Sequence, residues 1–100
     1  MGDYARVVTF EADDAAIDAL VDEINSAGGP PEGVPATRII VLADRAGGKV
    51  MVGIRFATEE DLKKGGAALN EMSPPDVGNI RRVGVDEYEV LLEQIGRAHV

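Results

Sequence analysis

Residues 37–57 read TRIIVLADRAGGKVMVGIRFA, two apolar runs on either side of Asp44-Arg45-Ala46-Gly47-Gly48. Val, Ile, Thr and Phe suit a pleated surface. Asp opens a type I turn, and a glycine after it accepts positive φ. The stretch predicts a β-hairpin with a four- or five-residue loop. A strand with one wet face should alternate apolar and polar residues. Ile39, Ile40, Val41 and Leu42 do not alternate, and neither do Val50, Met51 and Val52. Both faces of this hairpin therefore need cover, and that demand constrains everything else the chain can do.

The chain is 100 residues long, enough for one domain over residues 1–100. Its other segments supply the cover. Residues 4–11, YARVVTFE, predict a strand with Tyr4, Val8 and Phe10 on one face beside Arg6, and Ala5, Val7 and Thr9 on the other. Residues 13–27 predict a helix capped by Asp13 or Asp14, with Ile17, Leu20, Val21 and Ile24 as its apolar stripe. Gly28 and Gly29 stop it, and residues 28–36, GGPPEGVPA, form a connector. Residues 58–72 predict a second helix, with Thr58 and Asp61 approximating a capping box. Leu62, Leu69 and Met72 make its stripe, and Gly65 and Gly66 lie on the same face. Each glycine costs about 1 kcal/mol against alanine. The pair either weakens the helix or permits close approach to a sheet or ligand. Residues 73–80 form a rigid loop and residues 81–95 a last strand. Its alternation changes phase between Val85 and Tyr88, as at a bulge. Residues 96–100 read as a loose tail.

The order β-α-β-β-α-β predicts an α+β, ferredoxin-like fold, a four-stranded antiparallel sheet with both helices on one face. The other sheet face keeps apolar residues and no third helix exists to cover them. Such a face marks an interface, and its simplest cover is a second copy of the chain. The expected partner is thus the protein itself, as a homodimer.

Two segments, IIVLADRAGGKVMVGIRFATEEDL and RRVGVDEYEVL, resemble the dimeric α+β barrel superfamily and, within it, the small antibiotic-biosynthesis-monooxygenase-like proteins. The shared pattern is D-R-x-x-G-K, then an apolar strand, then a short polar N-cap and an acidic helix start. The resemblance implies two ferredoxin-like protomers whose sheets meet around a barrel-like space. The superfamily includes cofactor-free oxygenases, haem enzymes and small-molecule isomerases, so the resemblance bounds fold more tightly than chemistry.

Net charge is −8, which opposes phosphate backbones and argues against nucleic acid. With no cysteine there is no disulfide, thiolate nucleophile or thiolate metal site. No apolar run approaches the roughly 20 residues of a membrane span. MGDYAR has neither a signal core nor a myristoylation Ser/Thr, so a cytoplasmic protein away from membranes is expected. Asp14, Asp18 and Asp22 lie four apart along a helix, which suits a solvated acidic face rather than ligands converging on a cation. His99 is the one histidine and falls in the tail, so neither haem nor a bound metal is expected, and no cofactor. The chain has no dinucleotide fingerprint, P-loop, H-E-x-x-H or nucleophile elbow, and Ser73 has no histidine base. No catalytic residue is assigned.

The remaining candidates are polar or small residues on apolar strands. Met51, Gly53 and Arg55 are out of phase with Val50, Val52, Ile54 and Phe56. If the larger set packs on the helices, the smaller set looks into the space between two sheets, where Gly53 leaves room and Thr9 can join it. Arg38 and Tyr88 complete the candidate ligand-binding set, with Tyr88 and Asn79 its weaker members, and Tyr88 also suits a core or interface aromatic with its hydroxyl at the edge. Arg38 and Arg55 also fit structural ion pairs. Two functions compete. One is a homodimeric small-molecule-binding or interaction protein, favoured by the scarcity of acid and base residues. The other is a cofactor-free monooxygenase or isomerase acting on a small aromatic or apolar acid, its carboxylate held by an arginine.

Overall fold

The hairpin closes on the pair Asp44 and Lys49, with residues 45–48 as its four-residue loop. Gly47 N–H donates to Asp44 Oδ1 at 2.9 Å, and Gly48 takes φ +66°, a conformation that favours glycine. Around this hairpin the computed structural model describes residues 3–71, 78–94 and 96. Its elements are β1 (Tyr4–Ala12), α1 (Asp14–Ala27), β2 (Arg38–Asp44), β3 (Lys49–Phe56), α2 (Glu59–Asn70) and β4 (Ile80–Glu89). The strands form one antiparallel sheet in the order β2-β3-β1-β4, the arrangement of a ferredoxin-like α+β fold. Among the described residues, no helix is long and apolar enough to cross a membrane.

Both helices start where their caps place them. Asp13 Oδ1 accepts from Ala16 N at 2.8 Å, and Thr58 Oγ1 accepts from Asp61 N at 3.0 Å. Gly28, at φ +74°, ends α1 and donates its N–H to Asn25 O at 3.2 Å. Thr58→Ala should remove about 1 kcal/mol of stability, readable by urea denaturation; an unchanged midpoint would mean that the hydroxyl bond contributes nothing.

One sheet face carries the core. Val8, Phe10 and Ala12 of β1 join Val50, Val52, Ile54 and Phe56 of β3 beneath Ala16, Ile17 and Leu20 of α1 and Leu62 of α2. These are the β3 residues whose phase the sequence assigned to the helices. The even alternation of β1 delivers one exception to the same side. Arg6 lies between Tyr4 and Val8 and is only 3 % exposed.

The other face is open, and pairing arranges it in rows across β4, β1, β3 and β2. Tyr88, Ala5, Arg55 and Arg38 form one end row. Asp86, Val7, Gly53 and Ile40 come next, followed by Gly84, Thr9, Met51 and Leu42. Arg81, Glu11, Lys49 and Asp44 close the far end with alternating charges.

Two expectations for the last strand need correction. It runs from Ile80 to Glu89 rather than to residue 95. Glu89 pairs with Tyr4, the first residue of β1, so among the described residues the ladder ends there, and the Val90 N–H reaches Asp3 O at 2.7 Å. Leu91 and Leu92 are exposed. The register shift lies at Val83, opposite Thr9 and Phe10, not between Val85 and Tyr88. Val85 and Tyr88 simply point to opposite faces, as residues an odd number apart do in a regular strand. Ser73, His99 and the tail other than Gly96 lie outside the described residues.

Candidate functional site

The six residues singled out from the sequence all lie on the open face. Thr9 pairs with Met51, Arg38 with Arg55, and Ala5 separates Arg55 from Tyr88. Gly53 gives less room than its size suggests, because Ile40 Cγ2 would lie 3.0 Å from a β-carbon there. Arg55 is committed to acids. Its Nη2 donates to Asp3 Oδ2 at 2.6 Å and to Glu93 Oε1 at 2.9 Å. Arg38 Nη1 donates to Glu93 Oε2 at 3.2 Å. Two arginines thus meet two carboxylates, and this end of the face has no net positive charge to offer an anion. Arg55 Nε is buried and makes no hydrogen bond among the described residues. Asn79 is used structurally, donating from Nδ2 to Asp13 Oδ2 at 3.0 Å.

These acids make folding sensitive to pH. Arg55, chiefly through its hydrogen bond, holds the Glu93 carboxyl below the usual glutamate range. The Ala16 N–H, then Asn79, does the same for Asp13. A carboxyl with a lowered folded pKa stabilises the fold above its unfolded value, about 4 for these groups, and loses that contribution as pH falls through the folded value. Glu93→Gln should therefore lose less stability than the parent between about pH 6 and about pH 3. Equal losses would show that the Arg55 pair is not coupled to folding.

Two of the three exposed acids in the row on α1, Asp14 and Asp18, share one arginine. Arg45 of the hairpin loop donates to Asp14 Oδ1 at 3.1 Å and Asp18 Oδ1 at 2.6 Å. Among the described residues, no three His, Cys, Asp or Glu side chains are grouped to hold a metal ion.

The concave site lies on the opposite, helix-covered side of the sheet. There α1 and the end of α2 leave a cleft of about 280 Å³. Val8, Phe10, Val52 and Ile54 form its floor. Leu20 and Ile24 of α1 wall one side and Leu69 of α2 the other, while Gly29 and Pro31 of the connector stand at its edge. A second depression, of about 420 Å³, adjoins it at Ile24, Gly29 and Ile39, and Arg38 is its one charged residue.

What distinguishes the first cleft is Arg6. The β1 pleat aims it at the helices, between Glu87 of β4 and Ile54 of β3. Its Nη2 donates to Asn70 Oδ1, at the last residue of α2, over 2.8 Å. No carboxylate oxygen of the described residues comes within ion-pair distance of it; the nearest cross-strand acid, Glu87, acts only at longer range. Burial lowers the arginine's pKa, Arg82 lowers it further, and Glu87 opposes both. Arg82, on the same side of the sheet opposite Phe10, also lines the cleft, as does Glu23 of α1. Sequence reasoning placed Arg6 on this face but did not select it. The available signal was a charge in phase with Tyr4, Val8 and Phe10.

No protein-family model, curated protein or solved structure matches the chain.

Proposed function

We propose that this chain is a small-molecule-binding protein whose ligand lies in the cleft between the helices and the sheet, and that it works as a homodimer joined through the open sheet face. The observation that carries the first part is the unfilled apolar cleft. Contiguous apolar surface left uncovered on a soluble protein marks a binding place, and apolar clefts with a few polar groups are where small ligands lie. A 100-residue domain has little core to spare, yet nine apolar side chains of β1, β2, β3, α1 and α2, five of them also members of the core, turn part of their surface to an open cleft. At about 280 Å³ the space is near the lower end of ligand pockets, which suits a small ligand. Among the described residues the lining holds one carboxylate, Glu23, and no hydroxyl, imidazole or amide side chain. That supply of proton donors and acceptors favours binding over catalysis.

The dimer rests on the open face. Its middle rows hold Val7, Ile40, Leu42 and Met51, with Ile40 49 % and Leu42 53 % exposed. The exposed acids Asp14, Asp18, Asp22, Glu23, Glu59 and Glu60 belong to the helices, whereas the open face carries Arg38, Lys49, Arg55 and Arg81 against Asp3, Glu11, Asp44, Asp86 and Glu93. A chain of net charge −8 repels its own copies almost everywhere except at this nearly balanced face. A two-fold pairing there sets mixed-sign rows against mixed-sign rows and buries the apolar band, giving the dimeric α+β barrel.

Binding is tested with octan-1-ol, a neutral apolar probe, and Ile24→Trp, which fills the cleft from its α1 wall. The parent should gain thermal stability with octan-1-ol and shift its Val8, Val52 and Leu69 amide resonances. Ile24→Trp should fold and lose both responses. Shifts confined to Thr9, Met51 and Ile40 would move the site to the open face and overturn the cleft reading.

A further inference from the structure

The cleft contains a cation that the described residues do not neutralise. A guanidinium has five N–H donors in a planar fork. Arg6 is 3 % exposed, and among the described residues its one hydrogen bond goes to a neutral amide oxygen, that of Asn70. Burying a charge without an ionic partner is costly, and natural proteins pair such groups or use them. The nearby structure deepens the deficit. Arg82 adds a second positive charge to the same cleft, and the cross-strand acid Glu87 stays beyond ion-pair distance. Elsewhere in this acid-rich chain arginines have acids in hand, as Arg45 has Asp14 and Asp18, Arg55 has Asp3 and Glu93, and Arg81 has Glu11. Arg6 is the buried exception, and it lies where the apolar floor ends.

Resting on the reading of the cleft as a ligand site, we infer that its ligand class is a small carboxylic acid with an apolar body, its carboxylate taken by Arg6 with Arg82 in support. The carboxylate presents two oxygens to the planar fork, and the body lies on Val8, Phe10, Val52 and Ile54. A protein of net charge −8 does not gather such acids by its overall field, so selection depends on this local pair. Glu23 lines the cleft without coming within ion-pair distance of Arg6, so binding supplies a carboxylate where the described residues give Arg6 none, and burial and Arg82 both weigh on the unliganded guanidinium.

The test is calorimetric titration with octanoate and octan-1-ol, which share a body and differ in the head. The parent should bind octanoate at least about tenfold more tightly. Arg6→Met, which keeps much of the stem's apolar volume, should abolish that preference while octan-1-ol binds as well as before or better. Arg6→Lys should lose most of the preference, because a point charge does not reproduce the fork. Arg82→Gln, at an exposed position, should reduce octanoate affinity alone, and it serves if the Arg6 variants fail to fold. Equal binding of the two probes by the parent, a preference that survives in Arg6→Met, or a preference undiminished in Arg82→Gln, overturns the carboxylate inference and leaves the cleft reading standing. Binding of neither probe overturns the cleft reading and the inference with it.

Discussion

Gly65→Val should cost about 3 kcal/mol of folding stability, lowering the melting temperature by on the order of 15 °C for a domain of this size. A β-carbon at Gly65 would fall on the Phe56 ring, on Cε1 and within 2.8 Å of Cζ. Phe56 is 0 % exposed and sits in the packed core, so it cannot swing aside as a surface side chain would. Helix propensity alone gives the opposite expectation, since valine is a slightly better helix former than glycine and alanine better by about 1 kcal/mol. Steric overlap therefore has to exceed propensity for the prediction to hold. Gly65→Ala is the sharper version, because there the propensity gain is largest and the added volume smallest; it too should destabilise. Gly66→Ala should go the other way. Its β-carbon would meet only Glu87 Oε2, at 3.2 Å, the far end of a flexible side chain. Chemical denaturation of the three variants decides the matter. Gly65→Ala at or above the parent's stability would show that α2 can lift off Phe56 at no cost.

Leu42→Asp should turn the proposed dimer into a folded monomer. In the isolated chain Leu42 is 53 % exposed, beside Met51 on the open face, so an aspartate there stays in water and costs no more than about 1 kcal/mol of strand preference. In a face-to-face dimer the same carboxylate lies between two apolar bands, close to its two-fold mate. Burying an unpaired charge costs several kcal/mol, which corresponds to a loss of about 100-fold or more in association. Ser26→Asp, on the exposed end of α1, adds the same charge away from the face and should leave assembly unchanged. Sedimentation equilibrium at micromolar concentration reads both. A monomeric parent, or a Leu42→Asp protein that assembles as tightly as the parent, would remove the open face as the interface.

Local rules carry much of this fold. The run IIVLADRAGGKVMVGI contains its own turn, and the loop between Asp44 and Lys49 follows from Asp and Gly chemistry. The two helix starts follow from the oxygens of Asp13 and Thr58, and the end of α1 follows from Gly28. Strand phase separated Val50, Val52, Ile54 and Phe56 from Met51, Gly53 and Arg55 before any neighbour was known, because a strand's period is two whatever packs against it. The last strand was less legible. Its end depends on where β1 begins, and its bulge on which residue finds no partner.

The choice of site was beyond that reach. Arg55 and Arg6 look equivalent in the sequence, each a charge inside an apolar strand. What separates them is company from distant parts of the chain. Asp3 and Glu93 meet Arg55 from 52 and 38 residues away, whereas Asn70 reaches Arg6 across 64 residues with an uncharged oxygen. Gly65 was open for the same reason, since only the placement of α2 over Phe56 turns a helix-weakening residue into a required one. Backbone conformation, capping and face assignment are set within a few residues, and the sequence alone determined them here. The cleft, the arginine in it that has no carboxylate partner among the described residues, and the close approach at Gly65 arise where segments far apart in the chain meet, and tertiary packing alone decided those.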